Sequence, residues 1–336
     1  MKIKKIISSI LLTLSIAGGL VIANNSATFA ASNYYVSTSG SDSNDGTSSK
    51  PFATLEKAVS SASSGSTIYV ADGTYNVTST IKLTKSNTSS AQIVIKAQSG
   101  KPVIDFSNQS YSDSSRGFQI SGDNYWIKGL KIVGAGDNGI YISGSNNTVE
   151  SCDITECRDT GLQISNGGSY NHIKGVNSTY NYDPKTNGEN ADGFAAKLSI
   201  GPGNWFENCN ADYNSDDGYD LYYAGNSVKF YNCEASYNGV ADGNGNGFKI
   251  GGNYTADNHY LENCTSTNNK LRGFDQNNNT GALTLVNCIG TGNYSNFYFR
   301  NAPASGNHYF KGCTSSNGTI KDYITGATVE NCSFNQ

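Results

Sequence analysis

Along most of the chain the apolar positions recur in one five-residue figure: a polar residue, a glycine, then apolar, variable and apolar. It appears as Arg116-Gly117-Phe118-Gln119-Ile120, Asn138-Gly139-Ile140-Tyr141-Ile142 and Thr160-Gly161-Leu162-Gln163-Ile164. It returns as Asp192-Gly193-Phe194-Ala195-Ala196, Asp217-Gly218-Tyr219-Asp220-Leu221 and Asn246-Gly247-Phe248-Lys249-Ile250. Two looser copies follow, Arg272-Gly273-Phe274-Asp275-Gln276 and Ser295-Asn296-Phe297-Tyr298-Phe299. The in-out alternation has period two, so each copy predicts a short strand. From Gly117 to Asn296 the steps are 22, 22, 32, 25, 29, 26 and 23 residues. A unit near 22 residues with occasional insertions is a solenoid, and its strands make it a β-solenoid.

A second phase supports the same period. Cys209, Cys233, Cys264, Cys288, Cys313 and Cys332 recur at steps of 24, 31, 24, 25 and 19. Equivalent residues of successive coils stack about 4.8 Å apart, so these cysteines predict an interior ladder. Parallel Cβ vectors at that spacing exceed the roughly 3.8 Å separation a disulfide prefers, and the ladder is expected to hold free thiols. Cys152 and Cys157 fall outside the series and are the expected exception. Near the N-terminus, Pro51-Phe52-Ala53-Thr54 leads into a short amphipathic helix through Leu55, Ala58 and Val59, followed by a strand at Thr67-Ile68-Tyr69-Val70. A solenoid has open apolar ends, and a helix over the first coil is the remedy. Residues from about 33 to 100 read as this cap and the first coils, and about 101–336 as the regular coils, all within one domain spanning 31–336.

Composition narrows the class. The chain has 336 residues with 38 Gly, 5 Pro and 15% charged side chains, and 22 Tyr with 13 Phe argue against disorder. Met1-Lys2-Ile3-Lys4-Lys5, an apolar run from Ile6 to Ala23 and Thr28-Phe29-Ala30 before Ala31 form the pattern of a secretory signal peptide over 1–30. Its removal takes away Lys2, Lys4 and Lys5 and no acid, moving the formal charge from −4 to −7. A secreted, extracellular monomer is expected, with no membrane and no nucleic acid as partner. An anionic substrate needs a bridging cation.

Taking the coil glycine as position zero, positions +1 and +3 are apolar and point inward, while +2 points out. The column before glycine and the +2 column concentrate charge in a few coils. Asp192 and Asp217 share one column, Asp216 is adjacent, and Asp220 projects from the coil of Asp217. Each alone reads as a solvated turn residue. Together, four carboxylates in register repel one another, and a hard divalent cation such as Ca²⁺ resolves that repulsion. Lys249 follows Asp220 in the +2 column, where a nearby cation lowers an ammonium pKa and suits the amine to act as a base. Lys197, Arg272 and Arg300 occupy other outward positions, fit to hold substrate carboxylates. His259 and His308 share Asn-His-Tyr contexts, which favours a structural role. No nucleophile constellation, dinucleotide motif or phosphate loop is visible.

Glu189-Asn190-Ala191-Asp192-Gly193-Phe194-Ala195-Ala196-Lys197, Asn214-Ser215-Asp216-Asp217-Gly218-Tyr219-Asp220 and Gly245-Asn246-Gly247-Phe248-Lys249 resemble the polysaccharide lyase family 9 pectate lyases. The resemblance runs across essentially the whole mature chain. It implies an all-β fold, a right-handed parallel β-helix of about ten coils with a short N-terminal capping helix. It further implies calcium-dependent β-elimination of polygalacturonate (pectate). Asp192, Asp216, Asp217 and Asp220 would be the calcium ligands and Lys249 the base that takes the C5 proton. Two rivals remain at this point. A polygalacturonase-type glycoside hydrolase would use Asp192, Asp216 and Asp217, although the Gly-His-Gly and Arg-Ile-Lys segments of that family are missing. A non-catalytic polysaccharide-binding β-helix would use exposed tyrosines and gives no reason for the acids to cluster with Lys249.

Overall fold

The computed structural model describes residues 32–335; the expected signal peptide lies outside them. The repeat folds as a right-handed parallel β-helix whose three faces are parallel sheets of 12, 10 and 10 strands. Every strand pairs in register with its equivalent one coil away. The run Phe194, Tyr219, Phe248, Phe274, Phe297 is thus one column. Its rings stack at centroid separations of 5.1, 4.5, 5.1 and 5.0 Å. Phe206 and Phe230 of the 12-stranded sheet meet these rings edge-on across the core. Burying one such ring contributes roughly 1.5–3 kcal/mol, so the stack is a major part of the core.

The single helix among the described residues, Leu55–Ser61, starts where Thr54 Oγ1 accepts from Lys57 N–H, and it buries Leu55 and Ala58. It packs on the strands Asn33–Val36, Thr67–Val70 and Ile81–Leu83, covering the first coil as the amphipathic pattern predicts. At the other end Phe334 meets Phe297 and Phe310 edge-on and covers the last. No described helix is long and apolar enough to cross a membrane.

The turns explain the abundance of asparagine. Asn208, Asn232, Asn263 and Asn287 have φ of 52–54°, the left-handed region that Asn tolerates better than most residues, and each directly precedes a ladder cysteine. Ser151 adopts the same conformation before Cys152, and Gly175 before Val176. Cys152 therefore belongs to the cysteine ladder, with Val176 intervening before Cys209, and its expected exclusion is corrected. Cys157 occupies a different interior column: its N–H donates to Asn181 Oδ1, at the head of a buried amide ladder through Asn214, Asn238, Asn269 and Asn293. All eight cysteines are free. His259 and His308 have the structural role expected of them, each accepting through Nδ1 the N–H of a residue one coil back, Val228 and Leu283.

The coil glycines are conserved within the repeat for space, not for left-handed angles. A Cβ on Gly247 would lie 2.8 Å from the Gly273 carbonyl oxygen and 2.9 Å from Asn269 Nδ2, and one on Gly193 would be similarly blocked by Gly218 and Asn214. The amide ladder and the backbone of the next coil leave no room for a side chain.

Candidate active site

One of the 10-stranded sheets carries the acidic coils. Asp192 leads into the strand Phe194–Ala196, Asp216 and Asp217 lead into Tyr219–Asp220, and Lys249 ends Phe248–Lys249. Register puts Ala195, Asp220, Lys249 and Asp275 in one column. This column points away from the core, as the alternation requires, yet Ala195, Asp220 and Asp275 are buried. Segments 111–116 and 182–190 rise beside the sheet, tied by Lys185 Nζ to Asp113 Oδ1 at 2.9 Å and by Tyr111 Oη donating to Asp183. The result is a cleft of about 620 Å³ whose lining includes Lys197, Asp216, Asp220, Tyr222, Asn244 and Lys249.

Beneath it, Asp192, Asp216 and Asp217 each offer an oxygen within 4.8 Å of the other two. Backbone and amide donors fix them. Asp217 N–H donates to Asp192 Oδ1 at 3.2 Å, and Asn246 donates to Asp217 Oδ1 from N at 2.7 Å and from Nδ2 at 2.8 Å. Asn244 N–H donates to Asp216 Oδ1 at 2.6 Å and Asn190 N–H to Oδ2 at 3.2 Å. Asp217 Oδ2 is buried without a hydrogen bond, although Lys249 Nζ lies 3.1 Å away. Convergent oxygens with one left unsatisfied fit a hard cation.

Asp220 is placed differently from the other three. Its Oδ2 is 3.1 Å from Lys197 Nζ and its Oδ1 3.5 Å from Lys249 Nζ. Lys197 also reaches Asp192 Oδ2 at 2.7 Å. Its place on a separate column, two coils from Lys249, gave no sign of this; the flexible stem brings its ammonium into the centre of the site. Arg272 and Arg300 lie outside this cleft, around Tyr298 on the next coils. The sequence pattern gives no sign of Asn246 as the residue that anchors Asp217. It stands in the same column as Asp192 and Asp217, but asparagine is too common in this chain to draw notice.

Electrostatics follow from burial and from these pairs. Burial pushes the Asp217 carboxyl up to about 7 against the pull of Lys249, and Asp192 also lies well above the carboxylate range through burial. Burial would raise Asp220 too, but the ammoniums of Lys249 and Lys197 outweigh it and hold this carboxyl low. Burial alone would lower Lys249; instead Asp217 and Asp220 hold its ammonium above the ordinary lysine value. Among the protein's own groups the charges nearest the Lys249 amine are these carboxylates, which favour its protonated form.

Residues 34–317 match the Pel9A-like, right-handed β-helix family. The chain is 38% identical over 270 residues to pectate lyase L of Dickeya dadantii, covering 76% of this chain and 64% of that protein, less than two thirds of its length. The crystal structure of pectate lyase Pel9A superposes with a TM-score of 0.84 at 37% identity, covering 90% of this chain and 79% of that one. A rhamnogalacturonan lyase superposes with a TM-score of 0.81 at 28% identity, covering 90% and 87%.

Proposed function

Since the chain belongs to the Pel9A-like right-handed β-helix family, we propose that it is a secreted pectate lyase that cleaves polygalacturonate by calcium-dependent β-elimination, with Lys249 as the base. The observation that carries this reading is the meeting of Lys249 with the cluster Asp192, Asp216 and Asp217 at the floor of one cleft. The three clustered acids would hold Ca²⁺, with Asp220 at their edge. The ion would supply a Lewis acid that withdraws charge from the uronate carboxylate and so acidifies the C5 proton.

The chain's own groups supply the rest. Lys249 Nζ, in its neutral form, takes the C5 proton; the C5–H electron pair forms the C4–C5 double bond, and the C4–O4 bond breaks with its pair on O4, which takes a proton from water. Lys197 balances Asp192 and Asp220 and keeps both oriented. Asn246 locks Asp217 through Oδ1. Asn190 and Asn244 lock Asp216, and the walls at 111–116 and 182–190 limit water. The Gly-His-Gly and Arg-Ile-Lys segments expected of a polygalacturonase-type hydrolase are missing from this sequence. Ultraviolet absorbance of products from polygalacturonate tests the proposal, because elimination leaves a conjugated double bond and hydrolysis does not. Reducing ends released without that absorbance would mean hydrolysis, and binding without cleavage would mean a non-catalytic module.

A further inference from the structure

Beyond Lys249 on the same sheet lies a second cleft, of about 380 Å³. Tyr298 is registered with Asp275 and, through it, with Lys249. Two strand steps place it about 9.6 Å farther along the axis. Arginines approach its ring from both ends of the strand. Arg272 lies with its guanidinium carbon 3.6 Å from the ring centre and donates from Nη1 to Asp275 Oδ2 at 2.6 Å. Arg300 donates from Nη1 to Tyr298 Oη at 3.0 Å and lies 4.8 Å from the ring centre of Tyr323.

A guanidinium has five donors and pairs in plane with a carboxylate. Arg272 has one carboxylate partner and, among the described residues, Arg300 has none. Stacking on tyrosine limits the orientations of both, so little ordering remains to be done when an anion arrives. Buried Asp275, held by Asn277 N–H at 3.0 Å, offsets a single positive charge and leaves the pocket net cationic. The opposite side of the catalytic cleft is lined by Asp113, Asp159, Asp183 and Glu189, beside Lys185. Along one sheet face the lining thus changes from acid-rich to arginine-rich, with the Asp cluster and Lys249 between.

We propose that the Arg272–Tyr298–Arg300 pocket is a subsite for the free carboxylate of a uronate residue bound two coils beyond Lys249, and that it makes the enzyme require an unesterified residue there. The inference rests on the lyase reading, and its test separates the two. Binding is measured first, by affinity electrophoresis in polygalacturonate and in highly methyl-esterified pectin, comparing Lys249→Ala with Lys249→Ala/Arg300→Gln. Loss of one charge-assisted contact is expected to weaken polygalacturonate binding about ten- to a hundredfold and leave binding to esterified pectin nearly unchanged. In the active background, Arg300→Gln should raise KM for polygalacturonate by a similar factor with kcat within about twofold. Arg272→Gln should act likewise; if it fails to fold because Asp275 loses its partner, exposed Arg300 carries the test alone. Equal binding by the two proteins, or equal loss on both polymers, overturns the subsite. A wild-type protein that binds polygalacturonate without forming unsaturated product overturns the lyase reading and leaves the binding comparison valid.

Discussion

Lys249 and Asn246 act on opposite faces of Asp217, one as its charge partner and the other as its anchor. Lys249→Ala should lower kcat by ~10²–10⁴-fold while calcium and polymer binding stay nearly intact, because general-base catalysis acts in the transition state. Lys249→Arg should be almost as damaging, since a guanidinium keeps its proton. Near-normal turnover by Lys249→Ala at alkaline pH would move the base elsewhere, with Lys197 next to examine. The pH dependence has a definite sign. The surrounding carboxylates hold Lys249 protonated against the effect of burial, so the neutral form, and with it kcat/KM, should rise toward alkaline pH. Bound calcium would neutralise those carboxylates, so the midpoint should fall at saturating relative to limiting calcium. A midpoint independent of calcium would remove the carboxylates as its cause. Asn246→Ala frees Asp217 Oδ1 from both donors and should weaken calcium binding roughly 10–100-fold by calorimetry, the usual cost of losing a residue that orients a ligand.

The elements that carry these residues are strands of two to five residues, too short to persist outside the stack. They are held by columns: stacked rings, thiols and a buried amide ladder in which Asn214, Asn238 and Asn269 each donate N–H and Nδ2–H to the next asparagine's Oδ1. Asn238→Ala would leave buried amide groups of neighbouring coils unpaired and should cost ~1–3 kcal/mol of unfolding free energy, read from the shift of the denaturant midpoint. Asn232→Ala, at an exposed left-handed turn, should cost about 1–2 kcal/mol through backbone strain. The thiol ladder makes a separate prediction. Denatured but unreduced protein should label at all eight cysteines. Fewer than eight would reveal a disulfide.

In the whole molecule, the apolar core is continuous behind the acidic floor, so stability should be separable from the proposed metal binding. Chelation should abolish turnover and leave the far-UV spectrum and cooperative unfolding largely unchanged, while Asp217→Ala should sharply raise the calcium concentration needed for activity. Loss of the β-spectrum on chelation would show instead that the ion supports the fold. In a solenoid a sequence offset of one repeat is a spatial step of one strand, and for this reason the repeat in the sequence already specified the stacked architecture. It likewise specified the aromatic column and the adjacency of Asp192, Asp216, Asp217, Asp220 and Lys249. Three things depended on the folded molecule. Lys197 enters the site because a lysine stem is longer than the coil spacing, so a backbone position does not say where its ammonium lies. The cleft owes its depth to segments 111–116 and 182–190, which depart from the five-residue figure and are joined by Lys185 and Asp113, 72 residues apart in sequence. Which carboxylate oxygens surround the Lys249 amine was decided by side-chain direction and burial, which are properties of the packed chain.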